Sequence, residues 1–270
     1  MNNIDEKDML EKDKSEILSV VKTIATQAGE IFLSGFGKKQ DIEFKGEIDL
    51  VTEYDYLVEK FIVSEIKKNY PEHRIYSEEL GEVKRNSKYL WLLDPIDGTT
   101  NYAHGFPAAA ISIALVLDNQ PILGVVLDPL RNELYVAEIH KGANLNGEKI
   151  CVTKENQLNN SLIATGFPYD VRTKSDNNLS RFYRLIKLVR GLRYTGSATL
   201  NCVWVAAGRL DGYWEYGTKP WDTAAGALIV REAGGKVTTI ENKDNFLNKE
   251  SIVVTNKNIH NQLLSVLSAK

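Results

Sequence analysis

Tyr89-Leu90-Trp91-Leu92-Leu93 is an unbroken apolar run, and Asp94, Pro95, Ile96 and Asp97 follow it directly. No other feature constrains the fold as much. A short apolar run with no polar alternation predicts a strand covered on both faces. Such a strand needs layers above and below it, and 270 residues that are 43% hydrophobic can supply them. The strand ends in two carboxylates, Asp94 and Asp97, three positions apart. Beside apolar residues they repel each other, and burying them unpaired is costly. A divalent cation removes the conflict, and all-oxygen ligation suits Mg²⁺. A plainer reading fits as well: an Asp-Pro turn with Asp97 as the N-cap of the next helix.

Gly98-Thr99-Thr100 adds an anion site. A glycine followed by hydroxyl residues at a helix start exposes backbone N–H groups, and these suit a phosphate. Cation ligands and a phosphate cradle in one loop are what metal-assisted phosphoryl transfer needs. Other carboxylates could converge there. Glu78 and Glu79 close the preceding predicted strand, on opposite faces, so one of them can reach a metal. Asp222, in Pro220-Trp221-Asp222-Thr223-Ala224-Ala225-Gly226, reads either as a ligand or as the N-cap of a helix from Thr223. Asp49 reads as a turn residue or as part of the same site. His73, His104, His140 and His260 share no metal-binding spacing, and the GxSxG, GxxxxGK[ST] and GxGxxG patterns are absent.

The charge balance, 33 basic against 36 acidic residues for a net charge of -3, gives no reason to expect nucleic acid or an anionic membrane as partner. Cys151 and Cys202 form no CxxC pair and read as packed thiols of a reduced compartment. The charged start has no apolar signal region, and no uninterrupted apolar run approaches the roughly 18 residues of a membrane helix. A soluble, cytoplasmic protein is expected.

Periodicity predicts a helix through Ile17–Phe32, a strand over Asp41–Lys45, a loop over Gly46–Val51 and a helix over Tyr54–Asn69 capped by Thr52. Strands are expected over Arg74–Glu79 and Tyr89–Asp94, antiparallel strands from Ala108 to Val136, and a hairpin turn at Asn146-Gly147. Strands and helices alternate beyond Lys154, with helices near Leu179–Val189, Ala198–Ala207 and Thr223–Ala233. The polar stretch Val152–Asn160 is therefore the expected boundary between an α+β half, 1–153, and an α/β half, 154–270, with the site between them.

At this point the residues carry a family likeness. The run from Trp91 to Tyr102, containing Asp94-Pro95-Ile96-Asp97-Gly98-Thr99-Thr100-Asn101, resembles the first signature of the inositol monophosphatase family. Lys219–Gly226 with Glu232-Ala233-Gly234-Gly235 resembles the second. Asp49-Leu50-Val51-Thr52 and Ser77-Glu78-Glu79 match two further blocks, in the family order and over nearly the whole chain. The resemblance implies a five-layered αβαβα sandwich of the inositol monophosphatase / fructose-1,6-bisphosphatase type, usually dimeric. It implies a lithium-sensitive phosphomonoester hydrolase using two to three Mg²⁺, with Mn²⁺ as a possible substitute.

By the same resemblance, Glu78, Asp94 and the Ile96 carbonyl hold one Mg²⁺, and Asp94, Asp97 and Asp222 hold a second. Glu78 supports a third, water-rich site. A metal-activated water attacks directly, oriented by Thr99 with Asp49 behind it, so Thr99, Asp49 and Glu78 form the catalytic group. Asp97, Gly98 and Thr99 meet the substrate together with Gly196, Ser197, Ala198 and Glu215. An exposed strand-end glutamate is the plainer reading of Glu215. The implied substrate is a small phosphorylated polyol or sugar, with inositol 1-phosphate first because DGTTN resembles inositol monophosphatases. The alternatives are a fructose-1,6-bisphosphatase or dual enzyme, a 3′-phosphoadenosine 5′-phosphate phosphatase, and a non-catalytic regulatory binding protein.

Overall fold

The computed structural model describes residues 4–39, 42–44, 50–173, 175, 177–249 and 251–269. Asp49 lies outside the described residues, as do the ends of the strand expected over Asp41–Lys45 and most of the loop expected over Gly46–Val51.

The chain opens with α1 (Ile4–Gly35), a ribbon of β1 (Ile42–Phe44) and β2 (Leu50–Thr52), and α2 (Glu53–Asn69). Leu50 and Val51, expected in a loop, belong to β2, which pairs antiparallel with β1. Val21, Ile24, Ala25, Ala28 and Phe32 form the buried stripe of α1. Lys14–Gly35 is long and apolar enough on average to cross a bilayer. Lys22 and Glu30 interrupt it, however, and a buried stripe facing a sheet accounts for its composition. Thr52 caps α2 as expected: its hydroxyl accepts from Tyr54 N, and Asp55 accepts from Thr52 N at 2.8 Å.

The first sheet follows: β3 (Arg74–Ser77), β4 (Gly81–Val83), β5 (Tyr89–Asp97), β6 (Ala110–Leu117), β7 (Gln120–Asp128), β8 (Glu133–Glu138), β9 (Ala143–Leu145) and β10 (Glu148–Lys149), with α3 (Thr99–Ala103) between β5 and β6. Its order is β10-β9-β8-β7-β6-β5-β3-β4, and only β3 and β5 pair in parallel. β5 is covered on both sides: Trp91 and Leu93 pack with α1 and α2, while Leu92 belongs to the core on the opposite face. The strand expected over Arg74–Glu79 stops at Ser77. Glu78 and Glu79 lie in the turn to β4, so the alternation of strand faces does not govern them. Asn146 and Gly147 turn β9 into β10, both with positive φ (50° and 88°), as a tight hairpin requires.

The second half contains β11 (Leu162–Thr165), α4 (Leu179–Leu185), β12 (Gly191–Tyr194), α5 (Ala198–Ala206), β13 (Gly212–Tyr216), α6 (Pro220–Glu232), β14 (Lys236–Thr238), β15 (Ser251–Thr255) and α7 (His260–Leu267). Its sheet runs β12-β11-β13-β15-β14. α4 and α7 cover its outer face. α5 and α6 fill the space between the two sheets, where Leu200, Val203, Ala225 and Leu228 share a core with Leu92, Val126 and Tyr135. The layers are therefore αβαβα. Two glycines permit the tight central packing. A Cβ on Gly124 would lie 2.9 Å from the Ala225 carbonyl oxygen, and one on Gly226 would lie 2.5 Å from Cys202 Cβ. The stretch Val152–Asn160 runs between the last strand of one sheet and the first of the other, but the two halves share one core.

Candidate active site

β5 carries the acidic pair out of the sheet. Its register against β6 shifts between Asp94 and Asp97, and an irregularity of this kind re-aims side chains. Asp94 is 2% exposed, and its Oδ1 is buried without a hydrogen-bond partner. Burial, then the charges of Glu78, Asp97, Asp222 and Asp55, push its carboxyl well above the usual carboxylate range.

Asp97 reaches across the molecule. Its carboxylate accepts from the Ser197 hydroxyl, from Ala198 N at 3.2 Å and from Thr199 N at 2.8 Å. It thus caps α5 in the other half and not its own helix. The N-cap of α3 is Gly98, whose φ of 92° suits glycine. A Cβ there would meet the Ala108 carbonyl oxygen at 2.8 Å and that of Gly196 at 3.0 Å. Burial raises Asp97 to about 6 against the pull of those hydrogen bonds. α3 is only five residues long, so its dipole is that of little more than one turn.

Thr99 is the buried hydroxyl of the loop. Its Oγ1 stands 3.0 Å from both Asp55 Oδ1 and the Ile96 carbonyl oxygen, each of which can accept its proton. From the sequence, Asp55 reads only as the acid three places after the Thr52 cap. Burial raises its carboxyl to about 6, opposed by hydrogen bonds from Thr52 and Thr99. Asp222 is not the N-cap of its helix. It sits in the first turn of α6, where Lys219 N donates to its Oδ2 at 2.7 Å. Pro220 explains the earlier helix start, since proline at the first position is pre-set for the helix and loses no hydrogen bond. Burial, then the Glu78 charge, raise Asp222 well above its usual value.

Glu78, Asp94, Ile96, Asp97, Gly98, Thr99, Asp222, Gly196, Ala198 and Glu215 line one cavity of about 660 Å³. Ser197 stands behind it, its hydroxyl committed to Asp97 and accepting from Leu200 N. Glu215 is a cavity group and not an exposed strand end. Tyr213 Oη donates to it at 2.5 Å, and burial raises its carboxyl to about 8. Gly166 leaves room for it: a Cβ there would fall 2.1 Å from the Glu215 carboxyl carbon. Asn178 fixes that wall by donating to the Gly166 carbonyl at 2.7 Å and accepting from Trp214 Nε1 at 2.7 Å. Asn101 ties the two halves together, donating to the Ala108 and Thr195 carbonyls, each at 2.7 Å. A neighbouring hollow of about 790 Å³ shares only Pro168, Tyr216 and Gly217 with this cavity and holds none of its converging carboxylates.

Among the described lining residues, five acids (Glu78, Asp94, Asp97, Glu215 and Asp222) face a single basic side chain, Lys219. Among the described residues, no group of three His, Cys, Asp or Glu side chains stands close enough together to hold a metal ion. Hydrogen bonds hold Asp97 toward α5 and Asp222 toward Lys219. A carboxylate has about four acceptor sites, so both retain capacity. The orphaned oxygen of Asp94 and the all-oxygen donor set fit a hard divalent cation.

Comparison with known proteins identifies the family. The family model for the inositol monophosphatase family matches residues 13–270. An inositol-1-monophosphatase of Synechocystis sp. is 42% identical, over 93% of this chain and 88% of its own. A Nus factor SuhB of Pseudomonas aeruginosa is 39% identical, over 93% and 95%. The solved structure of an inositol monophosphatase from Anabaena (Nostoc) sp. superposes with a TM-score of 0.87 at 37% identity, covering 94% of this chain and 96% of that one. The chain belongs to the inositol monophosphatase family and is a phosphomonoester hydrolase.

Proposed function

We propose that the chain is a Mg²⁺-dependent inositol-1-phosphate phosphatase, working by direct attack of water on phosphorus. The observation that carries this reading is the buried, unpartnered Asp94 Oδ1 in a cavity of five acids and one lysine. A phosphate dianion cannot enter such a field unless cations offset it. Glu78, Asp94 and the Ile96 carbonyl would hold one cation. Asp94, Asp97 and Asp222 would hold a second, and a third would sit near Glu78. When bound, Mg²⁺ supplies Lewis-acid neutralisation of phosphate charge and acidifies water.

The chain's own residues do the rest. Gly98 and Thr99 present backbone N–H groups to the phosphate. Thr99 Oγ1 holds the position of the attacking water and passes a proton toward Asp55, whose value of about 6 leaves it ionised at neutral pH. Glu215 and the Gly196–Ala198 wall orient the hydroxyls of the leaving alcohol. A cytoplasmic homodimer inhibited by Li⁺ belongs to the same reading.

One observation favours a second substrate, fructose 1,6-bisphosphate. The adjoining 790 Å³ hollow carries Lys243 and Lys249 beside Glu241 and Asp244, and the two lysines could meet a distal phosphate. Likeness to a protein named as a Nus factor favours a regulatory role besides catalysis. The deciding experiment is a hydrolysis panel of inositol 1-phosphate, fructose 1,6-bisphosphate and 3′-phosphoadenosine 5′-phosphate with Mg²⁺ and with EDTA. Highest kcat/KM on inositol 1-phosphate, abolished by EDTA, is expected. Preference for either other substrate overturns the assignment.

A further inference from the structure

α2 turns two acids inward on one face. Asp55 and Glu59 are four residues apart, and both are buried beside Val58, Ile62 and Ile66. Asp55 goes to Thr99. Glu59 goes elsewhere: its Oε1 accepts from the Ser77 hydroxyl, from Glu79 N at 3.0 Å and from Leu80 N at 3.0 Å. These donors bracket Glu78, whose own N–H donates to the Leu93 carbonyl oxygen at 3.2 Å, one residue before Asp94. The amides of Glu78, Glu79 and Leu80 are therefore all committed, the first to β5 and the next two to a single buried oxygen.

We propose that Glu59 is a positioning residue for Glu78, fixing the β3–β4 turn so that the Glu78 carboxylate is presented beside Asp94 for a divalent cation. The inference rests on the reading of Glu78 as a metal ligand. Two points support it over a plain turn cap. The turn is short and lies between the last residue of β3 and the first of β4, so without Glu59 its amides would have to bend toward other acceptors. Finally, Glu59 and Asp55 lie on one rigid helix, which fixes Glu78 and Thr99 relative to each other.

The test is Mn²⁺ affinity, read from the electron paramagnetic resonance of unbound Mn²⁺, with the Mg²⁺ dependence of hydrolysis as second readout. Glu59→Asp shortens the reach by one methylene, whereas Glu59→Gln keeps an acceptor oxygen at the original reach. Glu59→Asp is expected to weaken Mn²⁺ binding about 10-fold or more, the lower end of what loss of a ligand-supporting partner costs. Glu59→Gln should lose much less. Fold is checked by melting in EDTA. If Glu59→Asp does not fold, Ser77→Ala, which removes one donor, replaces it and should also weaken Mn²⁺ binding. Wild-type Mn²⁺ affinity in a folded Glu59→Asp, or in Ser77→Ala where that replaces it, overturns the proposal. Glu78→Gln separates the two levels: if it too leaves affinity unchanged, the ligand reading has failed, and if it weakens binding, only the role of Glu59 has.

Discussion

Thr99 Oγ1 lies 3.0 Å from Asp55 Oδ1, and the other oxygen of that carboxylate closes the N-terminal box of α2 through Thr52. One side chain thus starts a helix and accepts from the hydroxyl of the candidate site. Substitution can separate the two roles. Asp55→Ala should cost about 1 kcal/mol through the lost cap and lower kcat roughly 100-fold or more. Asp55→Asn keeps an acceptor for Thr52 N but takes up no proton, so kcat should fall as far while the melting temperature stays near wild type. Initial rates and melting curves decide it. An active Asp55→Asn would leave Asp55 as a cap and return the supporting role to Asp49.

Asp94→Asn should kill hydrolysis and yet make the metal-free protein melt higher. Its ionised form is buried with an unpartnered oxygen and repelled by Glu78, Asp97 and Asp222. Relief of about 1 kcal/mol corresponds to roughly 2–4 °C in a chain of this size. The Mg²⁺-induced rise in melting temperature should disappear with it. A variant that melts no higher in EDTA and still gains stability from Mg²⁺ would contradict both halves of this expectation.

Glu215 gives the metal-free protein a pH dependence of known sign. Its ordinary value is 4.5, and the folded value is about 8 because of burial. The folded chain therefore keeps a proton that the unfolded chain has released, so stability falls as pH rises from 4.5 to 8 and the loss is complete above that. Urea midpoints in EDTA between pH 5 and 9 should slope downward, with Asp55, Asp94, Asp97 and Asp222 adding to the slope, and Glu215→Gln should make it shallower without abolishing it. An equal slope in both proteins would show that Glu215 titrates normally.

Two glycine substitutions should fail differently. In Gly166→Ala the atoms nearest the new methyl are the carboxylate carbon and oxygens of Glu215, the far end of a side chain. Stability should change little, while KM for a polyol phosphate rises about 10-fold as Glu215 is displaced. In Gly98→Ala it meets the Ala108 and Gly196 carbonyl oxygens in a left-handed backbone, so about 1–3 kcal/mol of stability and most of kcat should go together. Paired KM, kcat and melting measurements separate the cases. Matching profiles for the two variants would refute the distinction.

How much of this was legible in advance follows from how local each cause is. The apolar run before Asp94 fixed a doubly covered strand, because burial on both faces needs no partner to be named. The cap at Thr52 and the turn at Asn146-Gly147 were readable because their bonds close within a few residues. Glu78 and Glu79 read from the sequence as strand residues, since the turn that holds them is bonded to Glu59, nearly twenty residues earlier in α2. Asp97 looked like a cap for its own helix because α5 is far away in sequence. Tyr213, Asn178 and Asp55 were missed for the same reason. The one available signal, two acids on the apolar face of α2, needed the three-dimensional structure to tell what they faced.

The central layer also decides where chemistry from outside can reach. Cys202 lies against Gly226 between the sheets, and burial, then Asp97, Glu215 and Asp222, raise its thiol well above the usual range. Cys151 is exposed, at the start of the connection between the two sheets. A maleimide dye at neutral pH should therefore mark one defined position without mutagenesis. That position lies outside the residues lining the cavity, so the native chain already carries an attachment point for a label that leaves the candidate site untouched.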